Sequence, residues 1–218
     1  NRLPWYLTVA PGRDVIEVPI SGDLDINGWD LRKALGLLRE SNPTLLEWLG
    51  SPIVYREEAE TMAQFRTLAA QVFSNAKGWH HYASMAKKNF REHLQADEVR
   101  YKKYLYVLRP LLAARWIRTQ PSVPPMRFAE LAQHTLHPVH DAALVDEINA
   151  LLEVKMRAGE AATSPRCPGI HAFIEAELAR NAAEPVQPLP VPGHAALDAL
   201  LHETVLRYGE EKAARNSG

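Results

Sequence analysis

Residues 23–55 read DLDINGWDLRKALGLLRESNPTLLEWLGSPIVY, and three local signals in and beside this stretch predict one compact unit. A β-branched run at residues 15–20 comes directly before it and is typical of a strand, while residues 21–23 supply turn chemistry. From Trp29 onward, apolar residues recur at helical spacing as far as residues 41–43, which suit the end of one helix and the capped start of the next. The stretch therefore predicts a strand, an acidic turn and two short helices.

The rest of the chain predicts one further strand and a series of helices. Residues 5–7 suit a short strand, joined through a turn at residues 10–12 to the strand at 15–20. Apolar residues at three-to-four spacing predict helices over residues 57–73, 77–94, 97–118, 128–136, 139–156, 170–182 and 195–208. Pro110 is expected to kink or split the third of these helices, and the composition of residues 158–169 favours a mobile loop. The pattern of elements predicts an α+β protein.

Length and composition are those of an ordinary globular chain. Its 218 residues, 46% of them hydrophobic, suffice for one large domain or two small ones. A single cysteine, Cys167, excludes an internal disulfide framework and a Cys-rich zinc site, which favours a reducing compartment. No apolar run is long enough to span a bilayer and no charged-then-apolar leader occurs, so we expect a cytoplasmic protein without a membrane partner.

Positive charge is concentrated in residues 77–118. This segment holds ten basic residues against three acidic ones, although the whole chain has a formal net charge of −1. Aromatic residues such as Trp79, Phe90 and Trp116 are interleaved with these cations. Cations beside aromatic rings suit phosphate groups and stacked bases. The segment therefore predicts an anion-binding groove on an otherwise acidic protein.

Nine side chains of this segment are the predicted contacts to a nucleotide or its phosphates. They are His80, His81, Tyr82, Lys87, Lys88, Lys102, Lys103, Tyr106 and Arg109. An ammonium offers a phosphate a point charge, and a guanidinium binds two phosphate oxygens at once. Helical spacing places Lys87 near Arg91 and Lys103 one turn from Tyr106. The competing explanation is a solvated charged face on core helices, and spacing alone does not separate the two.

Four long strings of the chain resemble one known family. They are DINGWDLRKAL at residues 25–35, SNPTLLEWLGSPIVY at 41–55, GWHHYASMAKKNF at 78–90 and RYKKYLYVLRPLLAARW at 100–116. They resemble the predicted nucleotidyltransferases of the DNA polymerase beta superfamily, in the group associated with RNA repair, and the resemblance covers residues 5–125. It implies transfer of a nucleoside monophosphate from a nucleoside triphosphate to an acceptor hydroxyl, with an RNA end as the expected acceptor. It also implies divalent metal, Mg²⁺ or Mn²⁺, held on carboxylates.

The metal-binding carboxylates of that superfamily come from two strands. Two of them form Asp-x-Asp after a Gly-Ser helix start, and a third lies on a neighbouring strand. The resemblance carries over only the third, as catalytic metal ligand Asp25 with Asp23 as its close competitor. The alternative role is a helix N-cap, which Asp23, Asp25 or Asn27 could fill. Because no Gly-Ser with Asp-x-Asp precedes them, we expect either that this motif lies outside the sequence or that the protein is a degenerate member without catalysis.

The sequence as a whole predicts a small mixed sheet followed by a predominantly α-helical region. Residues 1–55 would form the C-terminal part of a nucleotidyltransferase-like core, and residues 56–218 a helical region with the basic groove at 77–118 and Pro-rich linkers near 120–125 and 184–193. The leading function is metal-dependent nucleotidyl transfer. The alternatives are a non-catalytic nucleotide- or RNA-binding module and a helical interaction or antitoxin-like protein. Strongly salt-dependent RNA binding would argue against a plain interaction protein.

Overall fold

The computed structural model describes residues 3–10, 12–22, 24–157 and 163–216. The chain divides into two compact units, one formed by Asn1–Phe73 with Val191–Gly218 and the other by Ser74–Pro190. In chain order the elements are α1 (Leu3–Tyr6), β1 (Val15–Ser21), β2 (Leu24–Trp29), α2 (Leu31–Arg39), α3 (Pro43–Leu49), α4 (Ala59–Val72), α5 (Asn75–His93), β3 (Glu98–Arg100), α6 (Tyr101–Thr119), α7 (Phe128–Thr135), α8 (Ala142–Arg157), β4 (Thr163–Pro165), α9 (Pro168–Ala183) and α10 (Ala195–Asn216). The sequence analysis placed the end of the nucleotidyltransferase-like core at residue 55, and that boundary stays a prediction.

The predicted α+β class is confirmed, with helices predominating. Strands β1 and β2 form one antiparallel pair, and β3 and β4 form another, so the described strands make two-stranded antiparallel sheets instead of a mixed one. The loop predicted over residues 158–169 was wrong in its described part, because residues 163–165 pair as β4 and α9 starts at Pro168. Across the described ranges, no helix combines the length and the apolar content needed to cross a bilayer.

The sheet of the first unit is the hairpin of β1 and β2. Val15 lies opposite Trp29, and the register shifts between Val18 and Ser21. The turn lies where the sequence predicts it, with Gly22 at a positive φ of 61°. The sequence predicts no strand over residues 25–28, yet they lie on β2, which pairs with β1. The residue types of this stretch disfavour a strand, and cross-strand pairing outweighs them.

A helical turn, α1, occupies the place of the strand predicted at residues 5–7, so that prediction was wrong. The Tyr6 hydroxyl donates to Asp30 Oδ2 at 2.7 Å, and the Thr8 hydroxyl donates to the Trp5 carbonyl at 2.8 Å. The first bond is tertiary and the second closes the turn locally. The aromatic residues favoured a strand here. A segment of three residues is too short for its periodicity to distinguish a strand from a helix.

Helix α3 begins as the sequence predicts. Asn42 is its N-cap, and the Asn42 side chain accepts a hydrogen bond from the Leu45 backbone N–H at 3.1 Å. Pro43 takes the first turn, where a missing N–H costs nothing. Both assignments are confirmed.

The N-cap of helix α2 is Asp30. Its Oδ1 accepts a hydrogen bond from the Arg32 backbone N–H at 2.9 Å. The caps predicted at Asp25 and Asn27 were wrong because both residues lie on β2. Asp23, the third predicted cap, lies outside the described residues. The capping role that competed with metal binding at Asp25 is therefore filled by another carboxylate.

The second unit is built around the packed pair α5 and α6, and α6 runs through Pro110 as one helix. A proline at this position has no N–H to offer the Tyr106 carbonyl one turn earlier. The Asn89 side chain on α5 donates to that carbonyl at 2.8 Å and replaces the missing bond. The predicted split at Pro110 therefore does not occur. Fully buried side chains of α6, Tyr104 and Leu111 among them, form the core of this unit.

Candidate functional site

One face of the β1–β2 hairpin carries three polar side chains, the predicted metal ligand among them, beside Val15 and Trp29. Residues opposed in an antiparallel pair share a face, as do alternate residues along one strand. Because Glu17 lies opposite Asn27, the side chains of Glu17, Asp25 and Asn27 share that face. All three are exposed, and Asn27 Nδ2 donates to Asp25 Oδ1 at 2.8 Å. Asp25 thus presents an exposed carboxylate on a strand, oriented by a neighbouring amide.

Oxygen donors on this face suit a hard divalent cation such as Mg²⁺, but too few of them lie together to hold one. Within residues 3–10, 12–22, 24–157 and 163–216, no three His, Cys, Asp or Glu side chains are grouped as a metal site. Glu17, which the sequence reasoning missed, forms an ion pair with Arg13. Asp23, the competing ligand, is not among the residues described. Asp25 is at most one ligand of a larger set, so the described residues alone do not fit a two-metal centre.

Helices α5 and α6 bring together part of the predicted basic surface. Lys103 Nζ lies 4.8 Å from the centroid of the Tyr106 ring and 3.2 Å from His93 Nε2. Tyr106 is 49% exposed. An exposed ring beside an ammonium offers stacking to a base and charge to a phosphate. The proximity of Lys103 to Tyr106 that helical spacing predicts is present.

Other predicted contacts lie along α5. The exposed ones are His80, His81, Lys87 and Lys88. Lys88 Nζ lies 3.8 Å from Glu92 Oε1 one turn later, so part of its charge is offset. Tyr82 is 2% exposed and belongs to the core, so its ring supports the helix from inside instead of offering a stacking face.

On α6 the two remaining predicted contacts are half-buried. Lys102 and Arg109 lie on the same helix as Lys103, two turns apart. Arg109 Nη2 donates to the Met126 carbonyl at 2.8 Å, which ties α6 to the segment before α7. This bond occupies one of the five N–H donors of the guanidinium.

A pocket of about 310 Å³ opens between α5 and α9. The polar and aromatic side chains that line it are Trp79, His80, Lys87, Phe90, Arg91 and Asn181. Of these, His80 and Lys87 are predicted phosphate contacts. Asn181 was missed because no motif marks it, and only the packing of α9 against α5 brings it to the basic helix. The pocket adds a concave, partly apolar site to a surface that the sequence described by its cations and aromatic residues.

A second polar cluster lies where α9 begins. The Cys167 backbone N–H donates to the Tyr104 hydroxyl at 2.9 Å, and burial raises the pKa of Tyr104 to about 12. Burial also raises the pKa of the Cys167 thiol, with a further contribution from the nearby Glu147 carboxylate. Burial and the positive charge of Arg166 lower the pKa of His171. All three groups are held neutral near pH 7, so the cluster stabilises the start of α9 and is poorly suited to thiolate chemistry.

Comparison with known proteins gives one family. A model of the family described as "RlaP: RNA repair pathway DNA polymerase beta family" matches residues 1–203. A Bacillus subtilis (strain 168) protein titled "Uncharacterized protein YcgL" is 46% identical over 176 residues, which are 81% of this chain and 66% of that relative. The chain thus spans slightly less than two thirds of the relative's length. No solved structure matches.

Proposed function

Because the chain belongs to the RNA repair pathway DNA polymerase beta family, we propose that it transfers a nucleoside monophosphate from a nucleoside triphosphate to a hydroxyl group at an RNA end. The observation that carries this proposal is the position of Asp25. Its carboxylate is exposed on β2, and Asp30 fills the capping role that would otherwise explain an acid here. A strand carboxylate is what the family resemblance requires for its third metal ligand.

The proposed reaction is a phosphoryl transfer. The acceptor hydroxyl oxygen forms a bond to the α-phosphorus, the bond from that phosphorus to the bridging oxygen breaks, pyrophosphate leaves, and the hydroxyl proton is released. When bound, Mg²⁺ or Mn²⁺ supplies positive charge that offsets the charge developing on the phosphoryl oxygens. Asp25 is proposed as one oxygen ligand, with Asp23 as its competitor, and the described residues do not complete the coordination.

The proposed contribution of the helical unit is to hold phosphates and bases. The proposed phosphate contacts are His80, His81, Lys87, Lys88, Lys102, Lys103 and Arg109. Tyr106 is the proposed stacking partner, because its ring is exposed and has Lys103 beside it. Tyr82 supports this surface from the core. Contacts of this kind are largely independent of sequence, which suits an enzyme acting on RNA ends.

A non-catalytic RNA- or nucleotide-binding protein is the second candidate. The location of the binding features favours this candidate. The basic surface and the pocket between α5 and α9 both lie in the second unit, residues 74–190, whereas Asp25 belongs to the first unit. A protein of this kind would bind RNA through the helical unit and would need no carboxylate from the hairpin.

Label transfer separates the two candidates. The full-length protein is incubated with Mg²⁺, a short RNA and each nucleoside triphosphate radiolabelled at its α-phosphate, and the label in RNA is measured. We expect incorporation by the natural protein and a decrease on the order of a hundredfold or more in Asp25→Asn, which keeps the shape of the side chain and removes its charge.

The matched control is Asp198→Asn, an exposed carboxylate in the first turn of α10 within the same unit. It should retain full incorporation. If Asp25→Asn incorporates label as fast as the natural protein, Asp25 is not the metal ligand. If the natural protein incorporates no label and still binds RNA in a salt-dependent way, the non-catalytic candidate replaces the enzyme.

A further inference from the structure

Two residues that line the pocket between α5 and α9 carry hydrogen-bond donors that are buried from solvent. Trp79 is 7% exposed and Asn181 is 8% exposed. In the described part of the chain, the indole Nε1 of Trp79 and the amide Nδ2 of Asn181 have no hydrogen-bond acceptor. Buried N–H groups are almost always paired. Two unpaired donors on residues that line one pocket point to a ligand that supplies acceptor oxygens.

Arg118 on α6 fixes both donor residues. Its Nη2 donates to Asn181 Oδ1 at 3.0 Å, which uses the oxygen of that amide and leaves the NH₂ group for another partner. Its guanidinium carbon lies 5.7 Å from the centroid of the Trp79 ring. The Arg118 charge itself is partly balanced by Glu184, whose Oε2 lies 3.8 Å from Nη1. The donors are therefore held by the fold before any ligand arrives.

The other lining residues select the charge and shape of that ligand. Lys87 and Arg91 lie one turn apart on α5, and no residue in the described lining of the pocket is acidic. Phe90 and Leu178 add apolar surface on either side. The volume of about 310 Å³ lies at the lower end of the range for small-molecule sites. An anion joined to a flat, partly apolar group of about one nucleotide matches these features.

We propose that this pocket binds a nucleotide through a phosphomonoester group, as a free nucleoside monophosphate or as the phosphorylated end of an RNA. Such a group carries nearly two negative charges and three terminal oxygens at neutral pH, which match two neighbouring cations and two buried donors. An internal phosphodiester has a single negative charge and fewer free oxygens, so a phosphorylated end is preferred to the backbone. The inference rests on the proposed function and names the phosphorylated nucleotide as the ligand of its helical unit.

Isothermal titration calorimetry of the full-length protein tests the proposal. The probes are one short single-stranded RNA with a 5′-phosphate, with a 3′-phosphate or with hydroxyls at both ends, and free adenosine monophosphate, all at physiological salt. We expect at least one phosphorylated probe to bind about tenfold more tightly than the hydroxyl-ended RNA. Equal affinities of free monophosphate and phosphorylated RNA would identify the mononucleotide as the ligand, and tighter binding of the RNA would identify the RNA end.

Three variants locate the binding. Asn181→Asp keeps the oxygen that Arg118 uses but replaces the NH₂ donor by negative charge, so it should abolish the preference for phosphate. Lys87→Ala, at an exposed position that leaves the core intact, should weaken phosphate binding roughly tenfold. Lys77→Ala removes an equal charge from α5 at a position that does not line the pocket, so it should retain the preference. Thermal unfolding followed by circular dichroism checks that each variant is folded.

Equal binding of phosphorylated and hydroxyl-ended probes would overturn the proposal. Retention of the phosphate preference in both Asn181→Asp and Lys87→Ala would overturn it as well. Asp198→Asn should leave the preference unchanged, because Asp198 does not line the pocket. Label transfer should be lost in Asp25→Asn and the phosphate preference in Asn181→Asp, so failure of label transfer and failure of phosphate binding are separate results.

Discussion

Replacing Tyr104 by phenylalanine removes one oxygen atom from the centre of the helical unit. The Tyr104 side chain is 0% exposed, and its hydroxyl accepts the Cys167 backbone N–H at 2.9 Å. Phenylalanine keeps the packing of the ring, so the change isolates the contacts of the hydroxyl with Cys167 at the start of α9. An unpaired buried donor costs about 1–3 kcal/mol. Because Cys167 is only partly buried, we expect a decrease of about 1–2 kcal/mol in the free energy of unfolding.

Urea denaturation followed by tryptophan fluorescence and circular dichroism measures that decrease. Trp79 and Trp116 lie in the same unit as Tyr104 and report its unfolding. The midpoint should fall while the dependence of the unfolding free energy on urea stays the same, because the surface exposed on unfolding does not change. Amide exchange in the first turn of α9 should accelerate more than exchange in the middle of α6.

The matched control is Tyr106→Phe on the same helix. Tyr106 is 49% exposed, so its hydroxyl is hydrated and its loss should change the free energy of unfolding by no more than about 0.5 kcal/mol. Equal effects of the two substitutions would refute the reasoning, since they differ in the burial and pairing of the oxygen that is removed.

Two further stability predictions follow from the structure. The pKa of His171 in the folded protein lies below its ordinary value. As the pH decreases, the unfolded chain therefore takes up a proton before the folded protein does. The free energy of unfolding should be highest above about pH 6.5 and should fall as the pH decreases toward the folded pKa. His171→Phe should reduce this loss, measured as the difference between urea midpoints at about pH 7.5 and about pH 5.5. Asn42→Ala removes the N-cap of α3 and should cost about 1 kcal/mol, whereas Thr44→Ala, in the first turn of the same helix but without the cap, should change stability by less than half as much.

Sequence periodicity predicts the long helices of the second unit well. The predicted helix at residues 77–94 is observed as Asn75–His93, because a helix of five turns repeats its apolar stripe often enough to be recognised. Strand β2 was not predicted, because its own residues carry no repeated pattern that indicates a strand. Asp25, Asn27 and Gly28 are types that strands disfavour, and the partner that makes them a strand is β1, which lies across a turn. Pairing between segments is not contained in the preferences of either segment.

In the candidate site, too, contacts within one helix can be predicted from sequence, whereas contacts between distant segments cannot. Lys103 and Tyr106 are three residues apart on one helix, so their contact at 4.8 Å follows from local geometry. Trp79 and Asn181 line one pocket although about a hundred residues separate them along the chain. The sequence offers little indication that Asn181 belongs to the site, because it is a neutral amide in a helix without a functional motif. Buried donors without acceptors can be recognised only after the chain is folded.

Helix α6 shows how a neutral residue sustains a charged surface. Pro110 removes the N–H that the Tyr106 carbonyl would accept, and Asn89 on α5 donates to that carbonyl at 2.8 Å. Without this bond the carbonyl would need water, and a helix opened at Tyr106 would lose the spacing that sets Lys103 beside the exposed ring. Because the same bond ties α5 to α6, it also joins the two helices that carry the proposed phosphate contacts. The basic surface therefore depends on an amide that binds no phosphate, as well as on the cations that composition reveals.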